Sequence, residues 1–431
     1  MKEEFEKLEK LFHDVYLIVD EGVVKLLCAA VIANRLPIDP LWIFLVGPSG
    51  SGKTEFITSL NKVRGIEPIS SLTPHTFISG LKRDQETSLL FKITKRQGPY
   101  GILTFKDFTG VLTIHHESRG EILGQLREIF DGALSKPFGT GEEVKWVGKI
   151  GMISGVTDAI YLARDLYASM GERFVMYKFK IPNRKLLASR SMDNVDTIRE
   201  NREMLRDAMV KFLDTTIGIP DIKTVPKVPP SFMEEIRDLA ELATRARSAV
   251  DRDWRSSSKL VTYIHDVEVP TRFPAQLMAL TRALMVLNEG ALTELDQKII
   301  YKIAFDSISP PKRRALQEAS RYVTITTQGL ATLTNHPTST TRMILEELNA
   351  LELIYRIKGG RQDYWKIRNE YRELFQKFDK IELLDYELKD DVESPDSFTT
   401  SIIDELIPTD EITPEEVSSA LEARANQEQL L

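Results

Sequence analysis

A chain of 431 residues with 42% hydrophobic and 28% charged side chains has the composition of an ordinary soluble protein of two or three domains. It contains no run of 18 or more apolar residues, which excludes a transmembrane helix, and its charged N-terminus lacks the apolar centre of a secretory signal. The single cysteine, Cys28, excludes an internal disulfide and a thiolate metal cluster. We therefore expect a cytoplasmic protein.

Charge is distributed unevenly along the chain. Residues 381–431 hold 15 Asp or Glu side chains and only two basic ones, whereas the preceding residues carry 55 basic and 49 acidic side chains. Blocks of like charge are typical of interaction tails and also of solvated, disordered ends. We expect residues 379–431 to form an acidic disordered tail that binds a protein partner or competes for a basic surface.

The sequence of the N-terminal half of the chain predicts an α/β fold. Apolar residues at helical spacing predict an N-terminal helical segment over 1–40. Four apolar runs follow, at 41–46, 101–105, 149–156 and 173–181, and helical stretches such as 118–134 separate them. Strands that alternate with helices predict a core over 41–215, in which helices cover both faces of a parallel sheet.

The sequence pattern of the remaining half changes twice along the chain. Four prolines in residues 216–231 predict a linker, and an all-helical lid is expected over 232–319. Residues 320–378 then read as helix, turn, helix and a β-hairpin with Gly359-Gly360 at its tip. This order predicts a winged-helix domain.

The strongest motif is GPSGSGKT, which follows an apolar strand and precedes a helix, as a phosphate-binding P-loop requires. In such a loop the backbone N–H groups surround the phosphates, Lys53 reaches the outer phosphates, and the Thr54 hydroxyl binds Mg²⁺. The predicted ligands are ATP and Mg²⁺. The predicted nucleotide-binding residues are Gly47, Pro48, Ser49, Gly50, Ser51, Gly52, Lys53 and Thr54.

The second apolar strand ends in Lys106 and Asp107, where a nucleotide hydrolase usually has two acids. Three interpretations are open. Asp107 is the catalytic acid while Thr54 and water hold the metal, or Asp107 is the metal ligand and a base such as Glu117 comes from elsewhere, or the site binds ATP without hydrolysing it. In a fourth interpretation Asp107 only caps a loop.

Four other residues are candidates for contacts with the nucleotide. Ser154 or Thr157, at the end of the third strand, is placed to contact the γ-phosphate. Arg173, at the start of the fourth strand, is expected to be exposed, and it either reaches the nucleotide of a neighbouring subunit or forms a surface salt bridge. Arg272 begins a helix in the lid and is a weaker candidate for a phosphate contact.

Two regions are candidates for DNA contacts. Residues 135–149 predict a glycine-tipped hairpin, with Lys136, Lys145 and Lys149 around it, that would touch a phosphate backbone. In the winged helix, Thr341 and Arg342 lie near the N-terminal end of the helix that would enter the major groove. Basic residues on or beside the wing are placed for phosphate contacts. They are Lys358, Arg361, Lys366 and Arg368.

The order of these parts resembles the AAA+ ATPases, and among them most the minichromosome-maintenance (MCM) helicases and the MCM-like ATPases of phages and mobile elements. The resemblance covers about residues 40–370 and includes the P-loop, the acid in KDF, the hairpin, GERF, TRFPAQL and the terminal winged helix. It implies that Asp107 stands at the second acid of the family, with Ser154 or Thr157 near sensor 1. Arg173 resembles the arginine finger and Arg272 resembles sensor 2. The resemblance also implies a ring, usually a hexamer.

Three features depart from the family pattern. Lys106 replaces the magnesium acid, the sensor strand lacks the usual asparagine, and only about forty residues precede the first strand, where the family has a DNA-binding domain. The leading hypothesis is an oligomeric AAA+ ATPase that acts on DNA as a helicase or replication initiator. The alternatives are an ATP-switch regulator of transposition, defence or transcription with slow turnover and no unwinding, and a protein remodeller.

Overall fold

The computed structural model describes residues 1–16, 18, 20–77, 88–97, 100–137, 143–163, 170–180, 184–220, 223–253, 255, 259–360 and 362–387. The chain divides into two compact units. The first unit comprises Met1–Ile236 and Thr271–Ile303, and the second comprises Arg237–Pro270 and Ala304–Leu431. Among the described helices, none combines the length and the apolar character that a membrane span requires.

The first unit contains seven of the described strands. In chain order they are β1 (Trp42–Val46), β2 (Ile66–Ile69), β3 (Tyr100–Phe105), β4 (Ala133–Pro137), β5 (Glu143–Val147), β6 (Lys149–Val156) and β7 (Phe174–Lys178). Five of them form a parallel sheet in the order β2-β3-β6-β1-β7, and β4 pairs with β5 as an antiparallel hairpin. Four of these strands and the hairpin were predicted. The edge strand β2 was not, because it is short and contains Pro68, which only an edge strand accommodates.

The described helices alternate with these strands and continue into the second unit. In chain order they are α1 (Lys2–Val15), α2 (Gly22–Arg35), α3 (Lys53–Ser59), α4 (Leu89–Gln97), α5 (Thr109–Leu112), α6 (His116–Phe130), α7 (Arg184–Asp193), α8 (Ile198–Val210), α9 (Pro230–Arg247), α10 (Arg272–Leu287), α11 (Glu294–Asp306), α12 (Pro310–Ser320), α13 (Thr327–Thr334), α14 (Thr338–Ala350) and α15 (Asn369–Glu387). Short 3₁₀ turns lie at Asp158–Leu162 and Gly171–Arg173, and a π-helical turn lies at Lys211–Ile217.

Helices cover both faces of the parallel sheet. Successive side chains of a strand point to opposite faces. On one face, Leu103 of β3 belongs to a hydrophobic cluster with Ile122 and Leu126 of α6. On the other face, Gly155 of β6 lies against Ile57 of α3. Because both faces are covered, β1 and β6 are buried almost throughout. The prediction of an α/β fold with a P-loop on a parallel sheet is confirmed.

Two helices, rather than one continuous helix, form the N-terminal segment. All of α2 is buried, including Cys28, and burial raises the pKa of that thiol. Cys28 therefore behaves as a small hydrophobic residue. At the end of α2, Arg35 donates hydrogen bonds to the carbonyl oxygens of Leu213 (2.5 Å) and Gly218 (2.8 Å). These bonds hold the chain segment that leads into the predicted linker and the first residues of the linker.

The second unit differs from the all-helical prediction for residues 232–319. Strands β8 (Val250–Arg252) and β9 (Val261–Ile264) pair as an antiparallel hairpin within this stretch. Residues such as Val261 and Tyr263 favour strands, but strands of three and four residues are too short to show a period of two in the sequence.

The elements after α12 follow the order that the sequence analysis assigned to a winged helix. Strands β10 (Ile325–Thr326), β11 (Ile354–Gly359) and β12 (Gln362–Ile367) form a sheet in the order β10-β12-β11, and α13 and α14 lie between β10 and β11 in the chain. The Thr326 hydroxyl caps α13 by accepting a hydrogen bond from the N–H of Gly329, and Asn335 ends that helix in a left-handed conformation. Helix α15 continues to Glu387, past the predicted start of the tail, and residues 388–431 lie outside the described residues.

Candidate nucleotide-binding site

The loop between β1 and α3 has the backbone geometry of a phosphate-binding loop. Gly50 and Gly52 have φ angles of 79° and 89°, which a residue with a Cβ atom rarely adopts. The loop begins at Gly47, whose N–H donates to the carbonyl oxygen of Val156 over 3.1 Å, and Lys53 is the first residue of α3. The motif glycines therefore serve the turn that a P-loop needs.

Lys53 is buried, and its amine points into the loop. Its Nζ donates to the carbonyl oxygens of Gly47 (2.7 Å) and Pro48 (2.6 Å) and to the Ser51 hydroxyl (3.3 Å). Burial lowers the pKa of Lys53, and the nearby carboxylates of Asp107 and Asp158 act in the opposite direction. The amine is therefore held by acceptors that phosphate oxygens can replace.

The donors beside the P-loop suit Mg²⁺ only together with a nucleotide. Thr54 is exposed in the first turn of α3, so its hydroxyl is accessible, and Asp107 offers a carboxylate. Among the described residues, no three His, Cys, Asp or Glu side chains are grouped to hold a metal ion. Mg²⁺ commonly takes one or two protein oxygens together with phosphate oxygens and waters. The residues present fit a metal that arrives with a nucleotide.

Asp107 lies at the carboxyl edge of the sheet, two residues after β3, and is exposed. Its Oδ1 accepts a hydrogen bond of 2.9 Å from the N–H of Thr109 at the start of α5. The N–H of Phe108 donates to the carbonyl oxygen of Gly155, and a Cβ at Gly155 would lie 2.5 Å from the carbonyl oxygen of Lys106. Asp107 thus caps a turn and also lies at the ligand edge, so a catalytic role and a capping role are compatible.

The two candidates on β6 differ in access to this edge. Ser154 is fully buried within the sheet, and its hydroxyl donates to the carbonyl oxygen of Phe105 over 3.2 Å. Thr157 lies past the end of the strand, where its N–H and hydroxyl both contact the hydroxyl of Thr109. A contact between Ser154 and a γ-phosphate is therefore contradicted by its burial. Thr157 stays a candidate.

Two charged residues at the same edge were not among the predicted site residues. Asp158 follows Thr157, and its Oδ1 lies 3.2 Å from the Nζ of Lys178 at the end of β7. The sequence VTDAI shows the aspartate, but the pairing depends on strand order, which the sequence does not reveal.

Glu55, directly after Thr54, joins the P-loop helix to two other helices. It accepts hydrogen bonds from the Arg202 guanidinium on α8, at 2.8 Å for Nε, and from the Tyr16 hydroxyl after α1, at 3.0 Å. Burial by itself would raise the pKa of Glu55, but the bonds from Arg202 and Tyr16 hold it below its usual value. These bonds fix the orientation of α3 and therefore of Thr54.

Arg173 is buried, and the expectation of an exposed arginine is wrong. Its NH2 lies 2.6 Å from Oδ2 of Asp131, its NH1 donates to the carbonyl oxygen of Met170, and its guanidinium lies over the ring of Phe130. The partner Asp131 lies 42 residues away in the chain, so local sequence could not reveal it. A role in a neighbouring subunit would require Arg173 to leave this ion pair.

Arg272 is exposed at the first position of α10, in the first unit. Its position at a helix start agrees with the sequence prediction, and its phosphate contact stays a prediction.

The hairpin β4–β5 offers less basic surface than expected. Lys136 contacts Glu121 and the carbonyl oxygen of Pro74, and Lys149 donates to the carbonyl oxygen of Leu36. Burial lowers the pKa of Lys149 to about 8. Lys145 is exposed and pairs with Glu143 over 3.0 Å. Of the three lysines, Lys145 alone keeps the accessibility that a DNA contact needs.

Helix α14 presents one of its two predicted DNA-binding residues to solvent. Arg342 is exposed and pairs with Glu346 over 2.9 Å. Thr341 is buried, with its hydroxyl unpaired among the described residues, so a contact with DNA is contradicted. It faces inward because Ile344, Leu345 and Leu348 form the buried face of the same helix.

The β11–β12 hairpin carries an exposed basic and aromatic surface. Lys358 is exposed on β11, and Arg361 lies outside the described residues. Tyr355 pairs in register with Lys366, and the guanidinium of Arg368 lies 4.7 Å from the centre of the Tyr355 ring. Side chains on this hairpin thus combine positive charge with an accessible ring.

Comparisons with known proteins give only distant likenesses. No family model matches the chain, and no curated protein matches its sequence. A candidate ATPase from Cytophaga hutchinsonii has a TM-score of 0.41 and 12% identity, over 71% of this chain and 87% of that one. The Aeropyrum pernix ORC2 protein, solved as ADPNP–ADP complexes, has a TM-score of 0.25 and 14% identity, over 86% and 96%. At these scores and identities neither likeness carries an argument.

The class of protein rests instead on the sheet, the P-loop and the residues at the edge of the sheet. A buried parallel strand leads into GPSGSGKT and a helix, and side chains from β3, β6 and β7 converge on the same edge. This arrangement defines an α/β fold with a P-loop at the carboxyl edge of a parallel sheet.

Proposed function

We propose that the protein is an oligomeric AAA+ ATPase that acts on DNA, as a helicase or replication initiator of MCM-like type. The observation that carries the proposal is the P-loop, in which Lys53 points into a turn made by Gly50 and Gly52. ATP binds there with Mg²⁺, Thr54 ligates the metal, and Asp107 acts on the attacking water or on the metal. Thr157 and Arg272 are the further candidates for phosphate contacts.

DNA contact by the second unit is supported by exposed positive charge on two neighbouring elements. Arg342 lies on α14, and Lys358 lies on β11. The three acids on and after α14 each have a basic partner in the same unit. Arg252 pairs with Glu346 and Glu347, and Arg245 pairs with Glu352. Because these acids are paired, they repel a phosphate backbone less than unpaired carboxylates would, and we interpret the unit as a DNA-binding winged helix.

The first experiment measures ATP binding and steady-state hydrolysis with and without single- and double-stranded DNA. Lys53→Ala is expected to abolish both binding and hydrolysis, because the outer phosphates lose their cation. Lys10→Ala changes an exposed lysine on α1 and is expected to leave both unchanged. Hydrolysis at the wild-type rate by Lys53→Ala contradicts the proposal.

A second experiment tests the DNA surface by titration at several salt concentrations. Each phosphate contact that is lost is expected to lower the salt slope of binding by about one. We expect this for Arg342→Ala and Lys358→Ala, and a smaller effect for Lys145→Ala. DNA binding that is unchanged in all three variants contradicts this surface.

A slow ATP switch is the alternative that Lys106 favours. Lys106 is exposed beside Asp107 at the position of a usual second acid. In that case the protein binds ATP to assemble on DNA as a regulator, and purified protein hydrolyses ATP slowly without separating strands. ATPase activity that does not respond to DNA instead favours a protein remodeller, which is the third candidate.

Assembly is part of the same proposal. A hexameric ring with sites between subunits would explain why one chain supplies an incomplete set of catalytic residues. Arg173 acts on the neighbouring site only if it leaves Asp131. Sedimentation with and without ATP tests the ring, and we propose a cytoplasmic location and a protein partner for the acidic tail.

A further inference from the structure

The strand order brings a second carboxylate over the start of the P-loop. Strand β1 lies between β6 and β7, and Val46 pairs in register with Val156 on one side and with Lys178 on the other. Adjacent strands lie about 4.8 Å apart, so the ends of β6 and β7 are separated by roughly twice that distance. The ion pair between Asp158 and Lys178 spans this gap. It therefore passes over the end of β1, where Gly47 begins the P-loop.

The local hydrogen bonds hold this carboxylate near the one after β3. Thr157, which precedes Asp158, is bonded through both its N–H and its hydroxyl to Thr109, which follows Asp107 by two residues. The amine of Lys53 experiences the negative charge of both Asp107 and Asp158. Two carboxylates thus lie near the P-loop lysine, one from β3 and one from β6.

We propose that Asp158 is the second carboxylate of the nucleotide site and takes the place of the acid that Lys106 replaces. It holds, through water, the Mg²⁺ that enters with ATP, and Asp107 remains for the attacking water. This inference rests on the proposed function, since it requires that ATP binds at the P-loop.

A purely structural ion pair is the competing explanation. The side chains of Asp158 and Lys178 are 53% and 37% exposed. Pairs this exposed contribute little to stability. The fold therefore does not need this pair, and Asp158 is able to exchange Lys178 for a hydrated cation.

The test measures how the affinity for a fluorescent ATP analogue depends on the Mg²⁺ concentration, together with ATP hydrolysis. Asp158→Asn keeps the size of the side chain but removes its charge. Without Mg²⁺, we expect Asp158→Asn to bind the analogue as tightly as the wild type does. We expect the variant to need about 10–100 times more Mg²⁺ before Mg²⁺ changes the affinity for the analogue, as is typical when a partner of a metal site is lost. Asp193→Asn, an exposed residue at the end of α7, is the matched control and is expected to change nothing.

Rescue distinguishes a metal role from a structural role. Adding Lys106→Asp to Asp158→Asn returns an acid to the end of β3, and we expect it to lower the Mg²⁺ requirement again. A structural role predicts no rescue, because the Lys178 pair stays broken. If Asp158→Asn unfolds, Asp158→Glu keeps the charge and moves the carboxylate outward, and its Mg²⁺ requirement is measured instead.

The outcomes separate the two proposals. An unchanged Mg²⁺ requirement in Asp158→Asn, or in Asp158→Glu if the first variant does not fold, overturns the inference while the proposed function stands. A wild-type protein that does not bind the ATP analogue overturns the proposed function. A shifted Mg²⁺ requirement that Lys106→Asp reverses supports the inference.

Discussion

At the scale of single residues, a close backbone contact determines where Asp107 lies. The carbonyl oxygen of Lys106 approaches Gly155 so closely that a Cβ there would be 2.5 Å away, and the next amide, that of Phe108, donates to the Gly155 carbonyl. The loop after β3 therefore packs against β6 at Gly155, where only glycine leaves enough space. The position of the catalytic candidate depends on a residue that has no side chain.

Gly155→Ala is expected to displace the loop that carries Asp107. The added methyl group meets backbone rather than a flexible side chain, so we expect a loss of about 1–3 kcal/mol in unfolding free energy and a marked fall in ATP hydrolysis. Gly120→Ala, in α6, adds a methyl group where nothing lies within 4 Å, and it is expected to be neutral or slightly stabilising. Equal stability of both variants in urea unfolding would contradict the close packing of the loop after β3 against Gly155.

The lowered pKa of Lys149 predicts that the stability of the protein depends on pH. Burial lowers its pKa to about 8 in the folded protein, whereas an unfolded lysine titrates near 10.5. Between these values the unfolded chain binds more protons, so this residue makes stability rise with pH from about 8 to 10.5. The measurement is urea unfolding of the wild type and of Lys149→Gln at several pH values. The unfolding free energy of the wild type minus that of Lys149→Gln should rise by about 2–3 kcal/mol from the lower to the upper end of this pH window.

Lys145→Gln is the control for this measurement, because Lys145 is exposed on the neighbouring strand. Its free-energy difference from the wild type is expected to stay constant over the same pH range. A constant difference for Lys149→Gln as well would show that its amine is not desolvated.

At the scale of elements, the β8–β9 hairpin is fixed to α14 by one buried arginine. Arg252 donates to Glu346 and Glu347, both at 3.0 Å, and to the carbonyl oxygens of Met343 and Lys259. The guanidinium therefore joins a hairpin and a helix that lie about 90 residues apart in the chain. It also neutralises two acids on the helix that we propose enters DNA.

Arg252→Met is expected to destabilise the protein by about 2–4 kcal/mol, because it removes the buried guanidinium that Glu346 and Glu347 share and leaves them only Arg342 and Lys312 as partners. Arg342→Met removes only an exposed pair with Glu346 on the same helix, for which about 0.3–0.5 kcal/mol is expected. Urea unfolding of both variants measures the difference. A similar small loss for both would show that Arg252 does not join the hairpin to the helix.

The sequence predicted the buried elements better than the short ones. The apolar runs of β1, β3 and β6 are continuous because both faces of a parallel sheet are buried, so these strands were visible. The strand β2 and the hairpin β8–β9 were not predicted, because strands of three or four mixed residues are too short to show an alternation of apolar and polar side chains. The P-loop was predicted in full, since its chemistry lies in consecutive residues. The burial of Arg173 and Thr341 and the span from Asp158 to Lys178 depend on tertiary packing that local sequence does not contain.

At the scale of the whole molecule, charge is divided between a slightly basic body and an acidic tail. Residues 388–431 carry 12 acidic and two basic side chains, so a chain that ends at Glu387 has a net charge of +3 instead of −7. The proposed DNA-contacting surface and this tail belong to the same polypeptide, so the tail is present at high effective concentration. We therefore expect the tail to compete with DNA for the proposed surface through its charge.

Removal of residues 388–431 is expected to raise the affinity for non-specific DNA several-fold at low salt. The gain should shrink as salt is raised, because exposed charges are screened. A full-length variant in which the acidic residues of the tail are replaced by Asn and Gln is the matched control, and it should bind DNA like the truncated protein. DNA binding that is equal in all three proteins at low salt would contradict competition by the tail.

The strand order β2-β3-β6-β1-β7 also has a consequence for the time course of synthesis. Both neighbours of β1 in the sheet, β6 and β7, lie about a hundred residues or more further along the chain and therefore leave the ribosome after it. Until they emerge, the strand that leads into the P-loop has no partner in the sheet, and its apolar side chains are uncovered. A nascent chain therefore gains its phosphate-binding loop only after residue 178 has been made. Within the parallel sheet, the strand that leads into the P-loop is thus made before both of its neighbours and is fully paired only when β7 has been made.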